Sequence, residues 1–263
     1  MYDAPIYIWV LALIPVVGIP GITSVMLYRG ALAAGLKRRT ASTVLAVAAA
    51  VFAAWIVTTG LLGAAGFYHQ PSGQAAPWFG ATFAVALLAL LAATRIPTVA
   101  RILTGPGSLV RLTVPHTLRV LGVTFLLVMA AGQLPAVFAL PAGLGDIAVG
   151  LAAPFVALRL MRGTGRRRAV WFNVLGIVDL VVALTIGFLA GLGPWQVIDV
   201  TPTTEALALV PLVLIPTVAV PVAISLHIVS LIKLRADGLD TGQGPGQTAA
   251  ARQQSTMSDV LSN

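Results

Sequence analysis

Long apolar runs alternate with short polar gaps along this chain. The runs cover about 6–28, 41–63, 78–100, 118–139, 143–161, 169–192 and 205–232. Each is long enough for a helix to cross roughly 30 Å of hydrocarbon. None shows the period-two alternation of membrane strands about ten residues long, so a barrel is excluded and a helical bundle remains.

The gaps are unequal in charge. Arg29, Lys37, Arg38 and Arg39 follow the first run. Arg95, Arg101, Arg111 and Arg119 surround the passage from the third to the fourth. Arg159, Arg162, Arg166, Arg167 and Arg168 lie between the fifth and sixth, and Lys233, Arg235 and Arg252 close the chain. The intervening stretches, about 64–77, 140–142 and 193–204, hold no Lys or Arg. Their ionisable groups are His69, Asp199 and, at the edge of the seventh run, Glu205. Cytoplasmic loops concentrate Lys and Arg. The expected fold is therefore an all-α polytopic membrane protein. It is a seven-transmembrane-helix bundle over 1–235, with its N-terminus outside and its C-terminus cytoplasmic, in the cell (inner) membrane. A tail over 236–263, rich in Gly, Gln, Ser and Ala, is expected to be disordered.

Aromatic residues mark the same boundaries, since amphipathic rings favour headgroup depth. Tyr7, Trp9, Trp78, Phe79 and Trp195 fall at expected outer ends, and Tyr28 and Trp171 at inner ends. Trp55 lies deeper and reads as packing. The start, Met1-Tyr2-Asp3, lacks a basic region, so the first run reads as an uncleaved span. In the gap 101–117, Gly105-Pro106-Gly107 and Pro115 are breakers. The piece Ser108–Val114 is expected on the membrane surface, with Arg101 and Arg111 toward headgroups.

Composition sharpens this picture. Charged residues make up 9% of the chain and mean hydropathy is +0.97, against about 25% charged in soluble domains. Lipid is therefore the solvent. The net charge of +8 reads as the topology signal plus contact with anionic inner-leaflet lipids, not as a nucleic-acid surface. With no cysteine, disulfides, thiolate metal sites and Cys nucleophiles are excluded. Arg far exceeds Lys and Ala, Gly and Val abound, which fits a GC-rich bacterial genome.

Few residues can carry chemistry. Asp179 sits near the middle of the sixth run, where a charged Asp costs about 2.5–3.5 kcal/mol on insertion scales and must face the bundle interior or water. Asn173, Gly176, Asp179, Ala183 and Gly187 share its helical face. The alternative role is a structural acid bonded across a helix interface. Asp146 is expected in the first turn of the fifth run, favoured by the helix dipole near outer water. It heads a stripe of small residues, Gly150, Ala153 and Ala157. Pro15 and Pro20 in the first run, and Pro211, Pro216 and Pro221 in the seventh, are candidate helix breaks. The last three free the carbonyls of Leu207, Leu212 and Thr217. His227 lies in the inner third of the seventh run, and Gln133 with Pro135 could line the same interior. His116 reads as a loop-edge residue and His69 as a loop residue, so the histidines do not form a metal-ligand set. The seventh run has no internal Lys for a retinal Schiff base, and paired intramembrane histidines for haem are not apparent. No cofactor is expected.

The function these residues suggest is binding or transport of a small solute at a polar site inside the bundle, with proton coupling as an added expectation. The alternatives are a non-catalytic structural or accessory protein of a larger complex, or, third, an intramembrane enzyme, for which no nucleophile–base spacing exists.

Overall fold

The computed structural model of the protein describes residues 4–69, 78–191 and 196–242, the last five by their backbone alone. Among these residues every regular element is helical. The α-helices are α1 (Ile6–Ala33), α2 (Arg38–Ala64), α3 (Trp78–Ala93), α4 (Pro97–Thr104), α5 (Ser108–Thr113), α6 (Val123–Ala130), α7 (Ala136–Met161), α8 (Arg166–Leu189) and α9 (Val220–Gly242). A 3₁₀ segment, Val114–Gly122, joins α5 to α6, and a π segment, Ile215–Ala219, leads into α9. Six helices are long and apolar enough to cross a membrane, or seven if the bent α3–α4 pair is one span.

The core is built on the last span. Some 72% of it is buried, against 6% for α2, which therefore lies at the perimeter against α1. Large apolar side chains such as Val51, Leu88 and Phe155 are exposed. On a soluble protein such a surface would aggregate, whereas around a membrane bundle it meets lipid.

The two ends of the bundle can be told apart by contact. Ala4, Gly63, His69, Gln133 and Glu205 line one cleft, so the chain start and the 64–69, 131–135 and 203–210 connections share a face. At the other end Arg101 donates to Ala34 O (3.0 Å) and Arg166 to Leu234 O (2.5 Å), while Lys233 pairs with Asp237 (2.6 Å). The basic connections thus gather at one end.

Several expected boundaries move, each for a backbone reason. The third run is not straight: α3 and α4 meet at 81°. Pro97 excludes the helical region for Ile96, which is extended (ψ 125°). The piece from Ser108 is not a separate surface segment. It opens the next membrane-length run, Ser108–Ala130, and Ser108, Leu112 and Thr113 are buried. Arg111 turns back to donate to Pro106 O (2.6 Å) rather than simply facing headgroups. The connection expected at 140–142 lies at 131–135, where Gly132 takes positive φ (70°) and Pro135 caps α7, leaving Pro141 inside the helix. The seventh run does not begin as a helix at 205. Glu205–Ala208 is a 3₁₀ turn, and regular helix starts only after the proline-interrupted stretch 211–219. Helix α9 continues to Gly242, through the first part of the expected disordered tail. The rest of that tail lies outside the described residues, as does Trp195.

Trp55 is more than packing. Its indole Nε1 donates to Thr217 O (2.9 Å), the carbonyl that Pro221 deprives of its helical donor. Replacing Trp55 with Phe should leave that carbonyl unpaired and cost about 1–3 kcal/mol. Thermal unfolding in detergent should therefore shift downward for Trp55→Phe, with no comparable shift for Phe at the half-exposed Trp78.

Candidate functional site

The 3₁₀ segment sets the centre of the molecule. At three residues per turn, positions 116, 119 and 122 stack in one line, whereas an α-helix would fan them apart. His116, Arg119 and Gly122 are all buried on that line. Helix α7 can lie against the segment because Gly150 carries no side chain: a Cβ there would overlap the backbone of Val120. Likewise a Cβ on Gly122 would overlap Asp146. Close backbone approach through small residues is how membrane helices gain contact energy.

Arg119 is the one Lys or Arg buried among the described residues. Its guanidinium faces two carboxylates from different helices. Nε donates to Asp146 Oδ1 on α7 (2.6 Å), and Nη2 donates to Asp179 Oδ2 on α8. Nη1 meets His227 Nε2 on α9 (3.1 Å) and the carbonyl of Gly176 (3.5 Å). The arginine side chain is 3% exposed and each acid 15%, so the charges sit in a low-dielectric interior with little screening.

The hydrogen bonds fix the state of His227. A guanidinium can only donate, so Nε2 accepts. Nδ1 therefore carries the proton and donates to Asn173 Oδ1 (2.9 Å), and the Asn173 amide donates to Ala169 O (2.7 Å). His227 is neutral here. His116 lies flat on it, with ring centroids 3.8 Å apart and planes 15° apart. Phe172 meets the edge of the His116 ring at 5.7 Å. Among the described residues neither His116 nitrogen has a hydrogen-bond partner. Glycines again make the room. A Cβ on Gly145 would overlap the Asp179 carboxylate, and one on Gly176 would overlap the His227 ring.

Two chambers flank this network. The first holds about 470 Å³ of empty space among Phe79, Phe125, Phe138, Phe188, Leu184 and Leu207, with Asp146 in its lining. The second, about 370 Å³, adjoins it, with Arg119, Pro15, Ile19 and Leu118 in its lining. Asp146 is common to both.

The expected site residues divide sharply. Asp179, Asn173, Asp146 and His227 come together around one arginine. Asp146 is not in a first turn; it lies well inside α7, because the helix begins at Ala136. The stripe with Asp179 faces inward as expected: Asn173, Gly176 and Gly187 are buried and Ala183 lines the first chamber. Gln133 does not join them. It is exposed in the 131–135 connection and lines the end cleft. Neither Pro15 nor Pro20 breaks α1, which runs through both, and Pro221 lies in the first turn of α9; Pro15 lines the second chamber and Pro216 the first. The Pro20 carbonyl itself accepts from Ser24 Oγ (2.8 Å) and that of Pro221 from Ser225 Oγ (2.8 Å). Pro211 precedes the helix.

Arg119 and His116 are the residues that sequence reasoning misplaced. Arg119 reads as one more topological cation and His116 as a loop-edge residue. A signal existed for Arg119: it falls inside the fourth apolar run, and two mid-membrane acids require a cation. Among the described residues no group of three His, Asp or Glu side chains is placed to hold a metal ion.

A family model described as a domain of unknown function (DUF8737) matches residues 76–235. The chain belongs to this family. The matched DUF8737 region contains Arg119, Asp146, Asn173, Asp179 and His227, whereas α1 and α2 lie outside it. No curated protein and no solved structure matches the chain.

Removing the arginine alone strands two acids in the interior. Arg119→Met should destabilise the bundle by about 3–5 kcal/mol. Adding Asp146→Asn and Asp179→Asn to that variant should recover much of the loss, a non-additivity that a thermodynamic cycle of detergent unfolding measures.

Proposed function

We propose that this DUF8737 protein is a seven-span cell-membrane protein that binds a small solute inside the bundle and moves it with exchange of a proton at Arg119, Asp146 and Asp179. Charge arithmetic carries the reading. Arg119 is permanently cationic, and the two carboxylates bonded to it supply two negative charges. With both acids ionised the cluster holds one excess negative charge. Burying an uncompensated charge costs several kcal/mol. A proton or a bound cation restores neutrality, so the site gains and loses positive charge as it works. The flanking chambers give water or solute a place beside Asp146.

The orientation follows from the gathered basic connections: they lie in the cytoplasm against anionic lipid, and the end with His69, Gln133 and Glu205 faces outward. The movable wall is the proline-interrupted stretch 211–219, which packs against the unbroken helix α1.

One observation favours a second reading, a structural or accessory role in a larger complex. Arg119 has an acceptor at each of its three guanidinium nitrogens and is nearly inaccessible, as a permanent helix clamp would be. The two readings differ in whether protons move. In proteoliposomes containing a pH-sensitive dye, an imposed solute gradient should drive proton movement through the wild-type protein, and Asp179→Asn should abolish it. Equal proton movement with Asp179→Asn would remove the coupling role, and none under any solute gradient would favour the clamp.

A further inference from the structure

The chamber beside the ion cluster specifies a kind of solute. Its lining is almost wholly hydrocarbon: Phe79, Phe125, Phe138 and Phe188 with Leu, Ile, Val, Ala, Gly and Pro residues, and one ionisable side chain, Asp146. Among the described residues no hydroxyl, amide, Lys, Arg or His side chain lines it. A sugar would leave its hydroxyls without partners, and an anion would meet a carboxylate and no donor. Both carry the full cost of desolvated polar groups.

Two features favour positive charge. First, Asp146 uses Oδ1 for Arg119 Nε, and among the described residues no donor reaches its Oδ2. Second, the aromatic rings form two edge-to-face pairs, Phe79 with Phe188 (centroids 5.6 Å, 80°) and Phe125 with Phe138 (5.4 Å, 81°). An edge-to-face pair covers one face of one ring only, and an uncovered ring face attracts a cation. An apolar wall would match an apolar body.

We infer that the Phe-lined chamber binds a small organic monocation, a protonated amine on an apolar body, with its ammonium on the free oxygen of Asp146. This deepens the proposed function and rests on it, since it supplies the positive charge that the cluster lacks. The cation and the proton then alternate on one site. Entry of the ammonium neutralises the excess charge, and its departure returns the site to the proton. The chamber is small, so modest ammonium ions are preferred to bulky ones.

The full chain in lipid nanodiscs tests this with three molecules of one shape: 2-phenylethylammonium, 2-phenylethanol and phenylacetate. Equilibrium binding by calorimetry should detect the ammonium and neither of the others. Asp146→Asn should weaken ammonium binding by about tenfold or more. Because that variant also touches the ion cluster, Ala183→Phe gives a second arm: it fills the chamber without contacting Arg119 and should likewise abolish binding. Circular dichroism and thermal unfolding confirm that each variant is folded. Equal binding of the alcohol, stronger binding of the carboxylate, or undiminished ammonium binding by folded Ala183→Phe would overturn the assignment. Solute-driven proton movement with no ammonium binding would refute the cation alone. No binding by any of the three together with no proton movement would refute the transport reading as well.

Discussion

One guanidinium holds two carboxylates apart and in place at the centre of this bundle. Arg119 comes from the 3₁₀ segment, Asp146 from α7, Asp179 from α8 and His227 from α9. Four elements therefore meet at one charged group. In hydrocarbon none of these residues could be tolerated alone. Together they bring the helices into register, because any sliding of one helix would strand a charge. The absent side chains of Gly122, Gly145, Gly150 and Gly176 are the steric counterpart of the same constraint, since each lies where a Cβ would collide with the network or with its backbone.

The arrangement is both tight and incomplete. Each nitrogen of the Arg119 guanidinium donates to an acceptor, and the neutral tautomer of His227 is set by its two partners. Yet the cluster counts two acids against one cation, and Asp146 lines two adjoining cavities. A structural clamp needs only the first property. The second is what a site needs if its charge is to change. His116, stacked on His227, adds a buried polar group whose ring nitrogens find no hydrogen-bond partner among the described residues.

Much of the architecture could be read from hydropathy. The apolar runs that became α1, α2 and α8 needed only length and composition, which are local properties. The reading failed where backbone chemistry overrode hydrophobicity. Pro97 bent the third run, Pro135 with Gly132 moved a connection upstream, and Pro211 and Pro216 delayed the last helix. That upstream shift is also why Asp146 moved from an expected first turn to the helix interior. The inward face of α8 was legible because its spacing is helical. The placement of His116 and Arg119 was not, because a 3₁₀ stretch of nine residues has a period that apolar patterning does not announce. Pairing of acids with Arg119 depends on which helices touch, and that is a property of packing alone.

The central claim is that the two carboxylates share a single exchangeable positive charge besides Arg119. Infrared difference spectroscopy of the protein in lipid, free of organic cations, reads it directly through the carbonyl stretch of a protonated carboxylic acid. The account predicts one such band, sensitive to deuterium exchange, that disappears in Asp146→Asn and in Asp179→Asn alike, because either variant leaves one acid balanced by one arginine. Absence of the band in the wild-type protein, or its persistence in both variants, would contradict it.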